Sequence, residues 1–92
     1  MTREQQCKLA RMMTGCNASN NEIIDSVKSM NELYKEEASQ VVDSLLLQHD
    51  LPFDKGYPLI KSDFSKVAQK YGVNAAALFW VYMEWKGQKN ER

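Results

Sequence analysis

Apolar residues recur at helical spacing through most of this chain, and capping residues stand where each stripe begins. Gln6, Leu9, Ala10 and Met13 return at intervals of three and four after Thr2, which has capping-box spacing with Gln5, and Gly15 supplies a stop. The pattern predicts a first helix over 2–14. A second box, Ser19 with Glu22, opens a run in which Ile23, Ile24, Val27 and Met30 form one stripe. Asp25, Lys28 and Ser29 form its opposite face, so a second helix is predicted over 20–30. Glu36 and Glu37 suit a helix N-terminus through its dipole, and Ala38, Val41, Val42, Leu45 and Leu46 follow, predicting a third helix over 35–49. Short connections place each helix beside its predecessor, in a three-helix bundle over 1–49 around Leu9, Met13, Ile23, Val27, Val42 and Leu45.

Pro52, Gly56 and Pro58 then interrupt the pattern, which predicts a crossing loop over 50–61. Leu51, Phe53, Tyr57, Leu59 and Ile60 are too apolar for a freely solvated loop and would anchor it across the bundle, with a short extended piece allowed. Ser62 is the expected cap of a fourth helix, with Phe64, Val67, Ala68 and Tyr71 as its inner stripe and Gly72 as its stop. Asn74 caps a fifth helix, in which 75–83 is an unbroken apolar run and only Glu84 and Lys86 are polar. Residues 62–86 form the predicted helix pair and 87–92 a frayed tail. The expected fold is all-α: one domain of five helices, a three-helix bundle followed by a helix-turn-helix-like pair.

Ninety-two residues suffice for one core, and 43% hydrophobic with 26% charged residues is ordinary for a globular protein. Twelve Lys+Arg balance twelve Asp+Glu, so no whole-molecule field selects a nucleic acid or a membrane. The balance is uneven along the chain: 1–49 holds five basic and seven acidic residues, 50–92 seven basic and five acidic. No apolar run is long enough to span a bilayer and the start has no signal-type apolar region, so a cytoplasmic location is expected. Cys7 and Cys16 lack the paired spacing of a zinc site, so free thiols, no metal and no cofactor are expected.

Catalytic chemistry has little to work with. His49, the one histidine, sits at a predicted helix end beside Asp50 and reads as a partial cap. Pairing it with Cys7 or Cys16 would need a cleft and an orienting group that no spacing implies. Adjacent Glu36 and Glu37 point in different directions on a helix, and no Gly-rich phosphate loop, HExxH or GxSxG is present. The chain is not expected to be an enzyme.

The fifth helix carries the functional expectation. A helix apolar nearly all round needs a core or another molecule to cover it, and so small a domain leaves much of its surface exposed. Phe79, Trp80, Met83 and Trp85 are therefore the candidate anchors of a protein interface, with a second copy or a larger complex as partner. Each buried anchor would contribute roughly 1.5–3 kcal/mol. Both rings at 79 and 80 hidden within one chain would remove that basis.

A second reading comes from Ala68, Gly72, Leu78 and Val81, whose spacing, with Val67 before them, resembles a helix-turn-helix. In that alternative Lys61, Lys66, Lys70 and Asn74 would contact nucleic acid, and Lys86, Lys89 and Arg92 would extend the positive end. The outward positions of the would-be recognition helix are Asn74, Ala75, Ala76, Phe79, Trp80 and Met83, of which only Asn74 can read a base edge. The likeness is therefore one of architecture.

Gln6 leading the first amphipathic helix, Leu33 before Glu36-Glu37-Ala38-Ser39, then Val42 and Leu45 carry a further resemblance. Residues 6–46 resemble the accessory three-helix module near the ends of phage single-strand annealing recombinases and related phage replication proteins. That resemblance implies a phage or mobile-element origin and a small adaptor that docks to other proteins, and it transfers no DNA-annealing residues. By analogy of size and origin, the expected role is docking on, or inhibiting, a nucleic-acid-processing or host-defence complex in the host cytoplasm.

Overall fold

The computed structural model describes residues 2–90, with side chains through Gly87. The first two helices begin at the boxes that the sequence carries. In α1 (Arg3–Thr14) the Thr2 hydroxyl accepts from Gln5 N at 3.2 Å, Gln5 Oε1 accepts from Thr2 N at 2.9 Å, and Gly15 closes the helix at φ 70°. Ser19 and Glu22 do the same for α2 (Asn20–Ser29). The next helix, α3 (Glu32–His49), begins earlier than the predicted 35, because Asn31 Oδ1 accepts from Tyr34 N at 2.8 Å and caps it.

The predicted crossing loop over 50–61 is not a loop beyond Pro52. There α4 (Phe53–Lys70) begins and runs through Gly56 and Pro58, so Ser62 lies exposed in mid-helix and caps nothing. Pro58 has no N–H for the carbonyl of Asp54, and an interior proline costs about 3 kcal/mol. The anchors decide against it: Phe53, Tyr57, Ile60, Phe64 and Ala68 are buried along one face at helical spacing, while Pro58 faces solvent. Gly56, read as a breaker, is a contact point, since a Cβ there would stand 2.6 Å from Leu46 Cδ2 of α3.

Gly72 turns the chain at φ 68°, and Asn74 Oδ1 accepts from Ala77 N at 2.7 Å to cap α5 (Ala75–Asn90). The frayed tail predicted for 87–92 is helical over 87–90, and 91–92 lie outside the described residues.

Against expectation, α5 is the central helix. It packs on all four others, and α1, α2 and α3 lie chiefly against it instead of closing a bundle of their own, with α4 against α3. Ala76, Ala77 and Leu78 are wholly enclosed, and Phe79, Val81 and Tyr82 nearly so. A small chain achieves this because four amphipathic stripes converge on one helix whose first turns are mostly alanine, so neighbours approach closely. Phe53 centres the aromatic core, with ring centroids 4.8 Å from Phe79, 5.2 Å from Tyr57, 5.7 Å from Phe64 and 5.9 Å from Tyr82. Of the predicted core, Ile23 and Val42 are fully buried and Met13, Val27 and Leu45 partly so. Leu9 is displaced to the edge because Cys7, Ala10 and Thr14 form the inner face of α1.

Candidate protein interface

The burial of α5 divides the predicted anchors. Phe79 is only 4% exposed, its ring held against Phe53, so it is withdrawn as an interface residue. Trp85 is partly buried against the core, its ring 6.1 Å from that of Tyr82. Trp80 is likewise partly buried against the core but lines a groove, and Met83, 43% exposed, forms with Glu84 the open strip of the helix.

Grooves flank that strip on both sides. One, of about 250 Å³, lies between α1 and α5 and is lined by Gln6, Leu9, Phe79, Trp80, Met83 and Glu84. Another, of about 330 Å³, lies between α5 and the α3–α4 corner; Leu46, Leu47, Leu51, Pro52, Phe53 and Tyr82 line it with Met83, and Asp43, Asp50 and Lys86 are its charged members. Met83 lines both, so the two grooves adjoin at its side chain, with Leu9 and Trp80 on one side and Leu47 and Leu51 on the other, and the pair is called the trough below. Leu47 is 67% exposed, although a side chain of that size gains most from burial. Among the described residues the buried Trp80 indole N–H has no acceptor, which costs about 1–3 kcal/mol.

Beside the second groove, Asp43 accepts from Tyr82 Oη and from Lys86 Nζ, each at 3.0 Å. Burial, and then the Asp43 carboxylate, push the Tyr82 phenol far above its ordinary value; burial raises Tyr57 and Tyr71 as well, with Glu37 adding to the rise at Tyr71. In the unfolded chain these phenols ionise near 10.0. The folded chain holds its protons longer, so their contribution is complete below pH 10 and is lost as the pH rises above it. Thermal melts between pH 8 and 11 are expected to fall above pH 10, by up to about 1.4 kcal/mol per unit from Tyr82 alone. Tyr82→Phe should flatten the fall, and a flat wild-type profile would contradict the burial of the Tyr82 hydroxyl.

The nucleic-acid candidates do not assemble. Asn74, the one potential base reader, is committed to its cap and donates from Nδ2 to Ser26 Oγ at 3.2 Å and to the Glu22 carbonyl at 3.4 Å. With α5 enclosed, it cannot enter a groove as a recognition helix. Lys66 and Lys70 share the solvent face of α4, where the helical period also puts Lys55, which the sequence reading passed over, while Lys61 points elsewhere. Lys70 Nζ lies 5.6 Å from the Tyr71 ring centroid. Lys86 is paired with Asp43, and Lys89 and Arg92 lie outside the described side chains.

Both thiols are free. Burial pushes the Cys7 thiol up, against a smaller opposing pull from Arg11, and Cys16 is half-buried beyond α1. His49 is exposed on the last turn of α3, and no hydrogen bond joins it to either cysteine among the described residues. No three His, Cys, Asp or Glu side chains among the described residues are grouped to hold a metal ion. No described helix is long and apolar enough to cross a membrane. Leu47 and Leu51, which complete the trough, were missed because the sequence pattern could not show that the α3–α4 corner folds back beside α5. Compared with protein-family models, curated proteins and solved structures, the chain shows no match.

Proposed function

We propose that this chain is a small non-enzymatic protein-binding module, an adaptor or inhibitor that acts by docking its apolar trough on another protein. The supporting observation is that two apolar grooves, one lined by Leu9 and Trp80 and the other by Leu47 and Leu51, adjoin at Met83. Interface anchors are large apolar or aromatic side chains seated beside pockets, and Trp80 and Met83 occupy such places. Phe79 contributes by supporting the floor from within. The resemblance of residues 6–46 to a phage accessory module suggests a phage or mobile element as source. A nucleic-acid-processing or host-defence complex in the host cytoplasm is then the proposed target.

The test compares proteins retained from an extract of the expressing cells by the wild-type chain and by a Met83→Glu, Leu47→Glu double variant. Both positions are exposed, so the fold is expected to survive, as the melting temperature would report. Retention of the specific partner should fall at least tenfold, which is about 1.4 kcal/mol. Leu59→Glu, on the outer face of α4, should leave it unchanged. Equal retention by the double variant would overturn the reading.

A further inference from the structure

The charges around the trough define the chemistry of what it would bind. Among the described residues its lining carries Glu84 on the α1 side, and Asp43, Asp50 and Lys86 on the other. Lys86 neutralises Asp43, which leaves two carboxylates with no ion pair among the described residues, Glu84 beside Met83 on the open strip of α5 and Asp50 in the lining of the second groove. Asp50 stands in an unusual place. It closes α3 in the left-handed region at φ 52°, the only non-glycine residue among those described to do so. Asparagine or glycine would serve that position, whereas a carboxylate adds negative charge to the end where the helix carbonyls already concentrate it. A cation brought there would meet both the carboxylate and the negative end of α3.

Resting on the docking function proposed above, we infer that the trough receives a basic amphipathic helix of a partner protein. Its apolar residues, spaced at three and four, cover Leu9, Trp80, Met83 and Leu47, and its Lys or Arg residues flank them to meet Asp50 and Glu84. An amphipathic helix fits because its apolar stripe can cover the apolar lining while its basic border reaches the carboxylates beside it. The selectivity is electrostatic: an acidic helix of the same apolar pattern meets like charge at Asp50 and Glu84.

The probes are a synthetic 18-residue peptide carrying leucine at helical spacing with lysine elsewhere, and its counterpart with glutamate for lysine. Each is titrated into the full chain at low and moderate salt, followed by tryptophan fluorescence. The lysine peptide is expected to bind at least tenfold more tightly than the glutamate peptide, with a preference that shrinks as salt rises. Asp50→Asn combined with Glu84→Gln, which keeps both shapes and suits the left-handed backbone at 50, should reduce that preference at least fivefold. Met83→Ser, which removes apolar surface without adding charge, should weaken binding of either peptide. Equal affinity for the two peptides, or a preference indifferent to the neutralising pair, overturns this inference and leaves the docking function standing. Binding of both peptides that survives Met83→Ser removes the trough itself. Sedimentation showing a dimer that Met83→Glu dissociates would assign the surface to a second copy, which keeps the docking function and overturns the basic helix as occupant.

Discussion

Phe53→Ala is expected to destabilise the chain by about 3–5 kcal/mol, the usual cost of emptying an aromatic site in a packed core. For a domain of this size that lowers the melting temperature by on the order of 20 °C and removes much of a total stability of about 5–15 kcal/mol. The effect is large because Phe53, on the first turn of α4, meets Tyr57, Phe64, Phe79 and Tyr82. It is the residue through which α4 and α5 share one aromatic core. Leu59→Ala, six positions on but 60% exposed, should cost less than about 0.5 kcal/mol. Circular-dichroism melts of the two variants make the comparison, and hydrogen exchange tests the helix directly: amides at 59–61 should be protected in the wild type. Similar melting for Phe53→Ala and Leu59→Ala would refute the packed first turn.

Asn74→Ala is expected to cost about 2 kcal/mol, from a lost N-cap and two lost hydrogen bonds to α2. The side chain accepts from Ala77 N while donating to Ser26 Oγ and the Glu22 carbonyl, so one amide caps the central helix and ties it to a neighbour. Asn74→Asp should lose less, since it keeps the cap oxygen and places a negative charge at a helix N-terminus. A melting temperature unchanged in Asn74→Ala would overturn this bridging role. Loss of affinity for nucleic acid with no loss of stability would instead favour the helix-turn-helix reading.

How legible the chain is varies with the range of the forces involved. Thr2 with Gln5, Ser19 with Glu22, Asn74 with Ala77, and the stops at Gly15 and Gly72 all appear as the sequence predicts, because caps and left-handed turns are settled within a few residues. Residues 53–61 are helical against the local pattern because Pro58 and Gly56 act locally against a helix, whereas the burial that outweighs them comes from residues on α3 and α5. The same holds for the site. Apolarity around α5 signals that it must be covered, and Met83 and Trp80 stayed at the surface while Phe79 did not. No periodicity within α5 could distinguish them, since which side is open depends on where the other four helices lie.

The sequence by itself therefore determined that this is a five-helix, all-α chain, where most helices start and stop, and that the last is too apolar to stand in water. Hydrogen bonds and dihedral preferences of near neighbours are enough for the helix ends, and side-chain hydrophobicity alone is enough for the last point. Only the tertiary structure decided that α5 is central, that a proline lies within α4, and that Leu47 and Leu51 line a groove with Met83. Those outcomes depend on burial shared among residues distant in sequence, and shared burial exists only once the helices have chosen their neighbours.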